Sequence, residues 1–148
     1  MSTFTQIIYH IVFSTKNRTP VMSEKNRERL YRYIWSILKK RNCHLYRING
    51  TDDHIHILTD LHPSISLADL VKEIKLATSH WIKENRIFSR FEYWQDGYGA
   101  FTHSISEKGV LIEYIKNQEE HHRAVSFHDE FKRLLIDAGI EFNEKYIK

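Results

Sequence analysis

The segment HIHILTDL, residues 54–61, alternates along its whole length, and a period of two is the mark of an extended strand. Three other stretches have strand character. They are TQIIYHIVFS at 5–14, rich in β-branched and aromatic residues, then 44–50, then YGAFTHS at 98–104. Between them the apolar spacing changes to helical. Ser23 opens a helix to about Arg41, with Leu30, Ile34, Ile37 and Leu38 on one side. Ser66 and Asp69 form a capping box before a second helix whose stripe is Leu67, Leu70, Val71, Ile74 and Trp81. Ser106 opens a third helix to about His122. Ser126 and Asp129 repeat the capping pattern before a last helix carrying Phe127, Phe131, Leu134 and Leu135 and ending at Gly139. The order β-α-β-β-α-β, followed by two helices, predicts an α+β fold of the ferredoxin-like type: an antiparallel sheet with helices on one face and an additional C-terminal helix.

The chain has 148 residues, the size of a single domain spanning 1–148, with no internal repeat or linker. At 41% hydrophobic and 28% charged it carries enough apolar material for one core without staples. Cys43 is the single cysteine, which excludes an internal disulfide and a cysteine-based zinc site and reads as small buried filler. No apolar run approaches the roughly 20 residues of a membrane span, and the first residues lack the pattern of a signal peptide. A cytoplasmic protein is the expectation. The net charge of +3 permits a polyanionic partner without demanding one. There is neither a glycine-rich phosphate loop nor a G-x-S-x-G elbow.

Ten histidines are present, and two of them stand out. His54 and His56 share one strand face, so their imidazoles can share a metal ion, with Ile55 on the opposite face. The same pattern fits two polar side chains on the wet face of an antiparallel strand. Tyr114 and Gln118 lie four apart on the third helix, one above the other, flanked by Leu111 and Ile115, so their face looks toward the sheet. A tyrosine in such a stripe is ordinarily core, and a phenol with a pKa near 10 needs help to act as a nucleophile. His121 and His122 read as a polar helix end, and His10, inside the first strand, as a hydrogen-bonded structural histidine beside the third. Asp52 and Asp53 read as turn formers. Basic residues that fit a nucleic-acid footprint include Lys16, Arg18, Lys72, Lys75 and Arg123.

Together these segments resemble the small tyrosine transposases of insertion sequences, the insertion-sequence 200/605 type of the HUH superfamily, including repeat-associated tyrosine transposases. YHIVFSTKNRTPVM resembles the opening strand and loop of that family, DDHIHIL its His-hydrophobic-His strand and WQDGYGAFTHS its fourth strand. YIKNQEEHHR resembles its tyrosine helix, and SFHDEFKRLL the segment after it. The resemblance implies a divalent metal ion, Mg²⁺ or Mn²⁺, on His54, His56 and Gln118, with Tyr114 as nucleophile. It further implies a single-stranded DNA hairpin as substrate, cleavage and rejoining through a 5′-phosphotyrosine, and a homodimer. Whether Tyr114 serves its own subunit or its neighbour is left open by the motif order. A non-catalytic hairpin-binding protein and a metal-dependent hydrolase are the alternative readings of the same residues.

Overall fold

A computed structural model describes residues 2–147. Four antiparallel strands form one sheet: β1 (Ile8–Ser14), β2 (Leu45–Gly50), β3 (His54–Asp60) and β4 (Gly99–His103), in the spatial order β2-β3-β1-β4. Helix α1 (Glu24–Lys40) connects β1 to β2, and α2 (Leu67–Glu84) connects β3 to β4. This is the α+β arrangement expected from the alternation of periods. The first strand begins at Ile8 rather than Thr5. No helix among the described residues is long and apolar enough to cross a membrane.

The two faces of the sheet are both covered. Ile11 and Phe13 of β1 and Ile55 and Ile57 of β3 pack with Leu30, Ile34 and Leu38 of α1 and Leu70, Val71 and Ile74 of α2. Cys43 is buried in this core. Ser66 caps α2 by accepting from the Asp69 amide at 3.1 Å. The opposite face is covered by helical segments from the C-terminal third. Ile115 and Leu111 pack on Ile8 and Leu58, and Phe127 and Leu135 pack near Val12 and Phe101. His54 and His56 therefore lie on a covered face, not a wet one, and both are 0% exposed.

The third helix departs from expectation. Its chain turns in at Ser104, whose amide donates to the Glu107 carboxylate at 3.1 Å, and a short 3₁₀ turn over Ile105–Glu107 precedes α3 (Lys108–Lys116). Asn117 then leaves helical geometry (φ −94°, ψ 19°), and a separate short helix, α4 (Gln118–His121), follows. The Asn49 side chain on β2 donates to the carbonyls of Ile115 and Lys116 at 3.1 and 3.0 Å. It satisfies acceptors that the end of a helix leaves open, so a tertiary contact stabilises a break that no glycine or proline announces. The last helix, α5 (Phe127–Asp137), is capped by Ser126, which accepts from the Asp129 amide at 3.2 Å, and Gly139 (φ 70°) lies just beyond its end.

Gly50 closes the turn into β3, and a Cβ there would stand 2.2 Å from the backbone oxygen of His54. A backbone atom cannot rotate aside, so Gly50→Ala should shift the start of β3. Urea unfolding should show a loss of about 1–3 kcal/mol, the usual cost of overpacking, whereas Gly109→Ala, which meets open space, should not destabilise.

Candidate active site

The strand β3 holds its two histidines from behind. Nδ1 of His54 lies 2.7 Å from the Asp53 carboxylate and 3.0 Å from the Thr51 hydroxyl. Asp53 thus does more than form the turn. Nδ1 of His56 lies 2.7 Å from Nε2 of His10, and the two rings stack with centroids 5.0 Å apart. His10 is the structural histidine its strand position predicts. Its Nδ1 is buried and has no hydrogen-bond partner among the described residues. With their Nδ1 atoms engaged, His54 and His56 both turn Nε2 toward the helical layer.

Tyr114 and Gln118 come down from that layer. The Gln118 side chain is fully buried, with Oε1 3.1 Å from Nε2 of His54. The Tyr114 ring stands edge-on to His56 at 5.9 Å between centroids. The helix break at Asn117 does not separate the two residues functionally, because both end on one acceptor. Gln118 donates through Nε2 to Glu130 Oε2 at 2.9 Å, and the Tyr114 hydroxyl donates to the same oxygen in a short hydrogen bond.

Glu130 is the residue that sequence reasoning misses. It sits in the first turn of α5, 3% exposed, with Oε1 3.1 Å from His56 Nε2, 2.8 Å from His122 Nε2 and 3.4 Å from His54 Nε2. A signal is present. Glu130 falls three residues after Phe127 and four before Leu134, inside the apolar stripe of its helix, where a carboxylate is out of place unless paired. His122 is also relocated. It points inward to Glu130, 2.8 Å away, and is not a solvated helix end. His121 is more peripheral, 3.5 Å from Glu130.

The electrostatics centre on that carboxylate. Burial opposes its charge, but hydrogen bonds from His122, His54 and His56 hold the Glu130 carboxyl well below the usual range. Burial also works against a cationic His54, yet its bonds to Asp53 and Glu130 prevail and raise it to about 9. His56, buried and beside other imidazoles, is lowered to about 4 and stays neutral despite Glu130. Burial and the Glu130 charge push the Tyr114 phenol well above its ordinary value. A neutral phenol is thereby held against an ionised carboxylate.

The donor set suits a divalent cation. Ligand atoms of His54, His56, His122 and Glu130 all lie within 4.8 Å of one another, and the Gln118 amide oxygen adjoins them. Imidazole nitrogen with amide and carboxylate oxygen is a mixed set of the kind Mn²⁺ accepts, and Mg²⁺ favours its oxygen members.

The five basic candidates do not form one surface. Lys16 stands over the Tyr93 ring at 4.4 Å and pairs with Glu92 at 3.6 Å, and Arg18 closes the 3₁₀ turn, Lys16–Arg18, that Lys16 opens. Lys72 and Lys75 of α2 line a cavity with Tyr93 and Tyr98. Arg123 lies apart, lining a second opening beside His122 with Arg27.

Residues 3–118 match the family described as "Transposase IS200 like". The chain belongs to the IS200-like transposase family. Among its relatives are the transposases for insertion sequence element IS200 of Salmonella typhimurium and Salmonella typhi. Each is 29% identical over 122 residues, covering 76% of this chain and 76% of theirs. Two solved structures share the fold. One is described as a candidate transposase from Deinococcus radiodurans, at 23% identity and TM-score 0.59, covering 80% of this chain and 95% of that one. The other is a REP-associated tyrosine transposase bound to a REP hairpin, at 15% identity and TM-score 0.63, covering 100% and 92%. The matched family segment contains His54, His56, Tyr114 and Gln118 but stops short of Glu130.

In the metal-free protein, replacing the central carboxylate takes away one of the two counter-charges of the buried His54 imidazolium, Asp53 remaining, and removes the charged acceptor shared by His56, His122, Gln118 and Tyr114. Glu130→Gln should therefore lower stability by roughly 3–5 kcal/mol, the usual consequence of removing one partner of a buried ion pair. Urea titration in the presence of a chelator measures it.

Proposed function

We propose that this transposase binds single-stranded DNA carrying a hairpin and cleaves and rejoins strands through a 5′-phosphotyrosine at Tyr114. The observation that carries the reading is the meeting of the Tyr114 hydroxyl with His54, His56 and Gln118 around one buried carboxylate. His54, His56 and Gln118 would hold a divalent ion, Mg²⁺ or Mn²⁺, with Glu130 and His122 within reach. Such an ion supplies Lewis-acid polarisation of the scissile phosphate and offsets charge gathering on its oxygens.

The rest is done by the chain. Tyr114 Oη attacks phosphorus, the bond from phosphorus to O3′ breaks, and the leaving oxygen takes up a proton as a free 3′-hydroxyl. The phenol is protonated beforehand, so its proton must leave during attack, and Glu130 already accepts that hydrogen. In rejoining, a 3′-hydroxyl attacks the phosphotyrosine and tyrosine departs, recovering its proton. The bond count is unchanged across the two steps, so no nucleotide cofactor is needed. Tyr114 stands edge-on to His56 of its own chain, at 5.9 Å between ring centroids, a geometry in which it serves its own subunit; a homodimer would then pair two complete sites. Lys16, Arg18, Lys72 and Arg123 are assigned to DNA phosphates, whereas Lys75, whose ammonium donates to the carbonyls of Gln95 and Gly97, is assigned to the turn beside them.

Incubation with a hairpin oligonucleotide bearing unpaired flanks and Mn²⁺ should yield a protein–DNA adduct that survives denaturing electrophoresis. Tyr114→Phe should yield none, and chelator should abolish it. Equal adduct from Tyr114→Phe sinks the nucleophile assignment. Binding without cleavage by the wild type would mean a hairpin-binding protein, and 5′-phosphate release by Tyr114→Phe a hydrolase.

His10 backs a proposed ligand, and such outer partners typically matter by about 10–100-fold in metal affinity. His10→Phe should weaken Mn²⁺ binding by calorimetry within that range. An unchanged affinity would limit His10 to packing.

A further inference from the structure

The helix α2 and the segment 93–98 enclose a cavity of about 350 Å³ that the reaction centre does not use. Its volume lies near the lower end of the roughly 300–1,000 Å³ typical of small-ligand sites. Val71 and Trp94 form its apolar depth, and Leu76, Tyr93 and Tyr98 stand around it, all three among the exposed large hydrophobic residues of the chain. Two exposed tyrosine rings beside an apolar hollow are unusual on a surface with no partner.

Cations surround these rings. Lys16 and Lys83 stand over Tyr93 at 4.4 and 5.9 Å, and Lys75 lies 6.0 Å from the Tyr98 ring. Lys72 is exposed on the lining. Glu92 and Asp96 are the acidic residues close by, and Glu92 is already paired with Lys16. Lysine is therefore in excess. Lys75 plays a separate part, because its ammonium donates to the carbonyls of Gln95 and Gly97 and holds the 95–98 turn in place. That turn is shared with a second cavity of about 230 Å³, which runs past Tyr98 to Ser14 and Phe127. The Phe127 ring stacks on His54 at 4.2 Å. Both hollows thus adjoin the 95–98 turn, and the second reaches the flank of the histidine pair.

We propose that the cavity between α2 and residues 93–98 is a subsite for an unpaired nucleobase of single-stranded DNA, stacked on Tyr93 or Tyr98 with an adjoining phosphate at Lys72. Aromatic faces with flanking cations are what an unpaired base and its backbone require. A paired helix offers neither a free base face nor a base narrow enough to enter. The inference rests on the proposed DNA strand-transfer reading and names where the strand lies outside the reacting phosphate.

The test uses fluorescein-labelled (dT)12 and an abasic 12-mer with the same phosphates, in chelator so that no metal contributes. Wild type should bind (dT)12 more tightly than the abasic strand. Tyr93→Ala and Tyr98→Ala together should weaken (dT)12 binding by about tenfold or more, the scale of a lost stack, and erase the preference over the abasic strand. Tyr93→Phe with Tyr98→Phe should retain both. Leu76→Glu, exposed and outside the core, should act in the same direction as the alanine pair, and Lys72→Gln should lower the salt slope by about 0.7. A base preference that survives the alanine pair overturns the subsite. If Tyr114 adducts still form in that case, the strand-transfer reading stands and only the subsite falls. Failure of the wild type to bind (dT)12 removes the subsite alone, and failure to form an adduct on the hairpin oligonucleotide removes the strand-transfer reading and the subsite with it.

Discussion

The Glu130 carboxylate is the contact on which the C-terminal third depends. It is ionised, almost wholly buried, and receives hydrogen bonds from groups on β3, α3, α4 and the segment after α4. A buried carboxylate is tolerable only when its lone pairs are filled. Here the filling groups are the same side chains that would do chemistry, so folding of the helical layer and assembly of the site are one event. Helix α5 has two reasons to dock: Phe127 and Leu135 bury apolar surface, and Glu130 finds its donors.

Much of this is legible in the residues. Alternation locates β3 and puts His54 and His56 on one face. Capping serines locate the starts of α2 and α5 to the residue. Helical spacing aligns Tyr114 with Gln118, and family resemblance attaches a reaction to them. What stays hidden does so for physical reasons. The break at Asn117 is stabilised by Asn49, which donates to the carbonyls just before it and is remote in sequence and adjacent only in the fold. The segment QEEH is itself compatible with a continuous helix, so local propensity carries no trace of the break. Glu130 is hidden because its helix reads well as an amphipathic surface helix, and a single acid in the stripe is easily passed over. The covered state of the histidine face has the same origin, since only the C-terminal helices shield it.

The charge distribution separates two kinds of basic residue that look alike in sequence. Lys75 is committed to backbone carbonyls of the 95–98 turn, whereas Lys72, one turn earlier on α2, remains exposed. Arg27 is likewise tied to the Met22 carbonyl and to Glu119. Counting cations overstates the footprint; what matters is which of them have donors to spare.

The pairing of His10 with His56 has a consequence for protons. Two neutral imidazoles joined by one hydrogen bond must choose their tautomers together. While His56 gives its Nε2 hydrogen to Glu130, its Nδ1 accepts from His10, and the bare nitrogen of His10 is the orphan. To offer an Nε2 lone pair instead, His56 must carry its hydrogen on Nδ1, and His10 must then carry its own on the nitrogen that has no neighbour. Burying an unmet donor costs about 1–3 kcal/mol. The strand that presents the histidine thus also sets how readily that histidine changes tautomer, through a residue on the next strand.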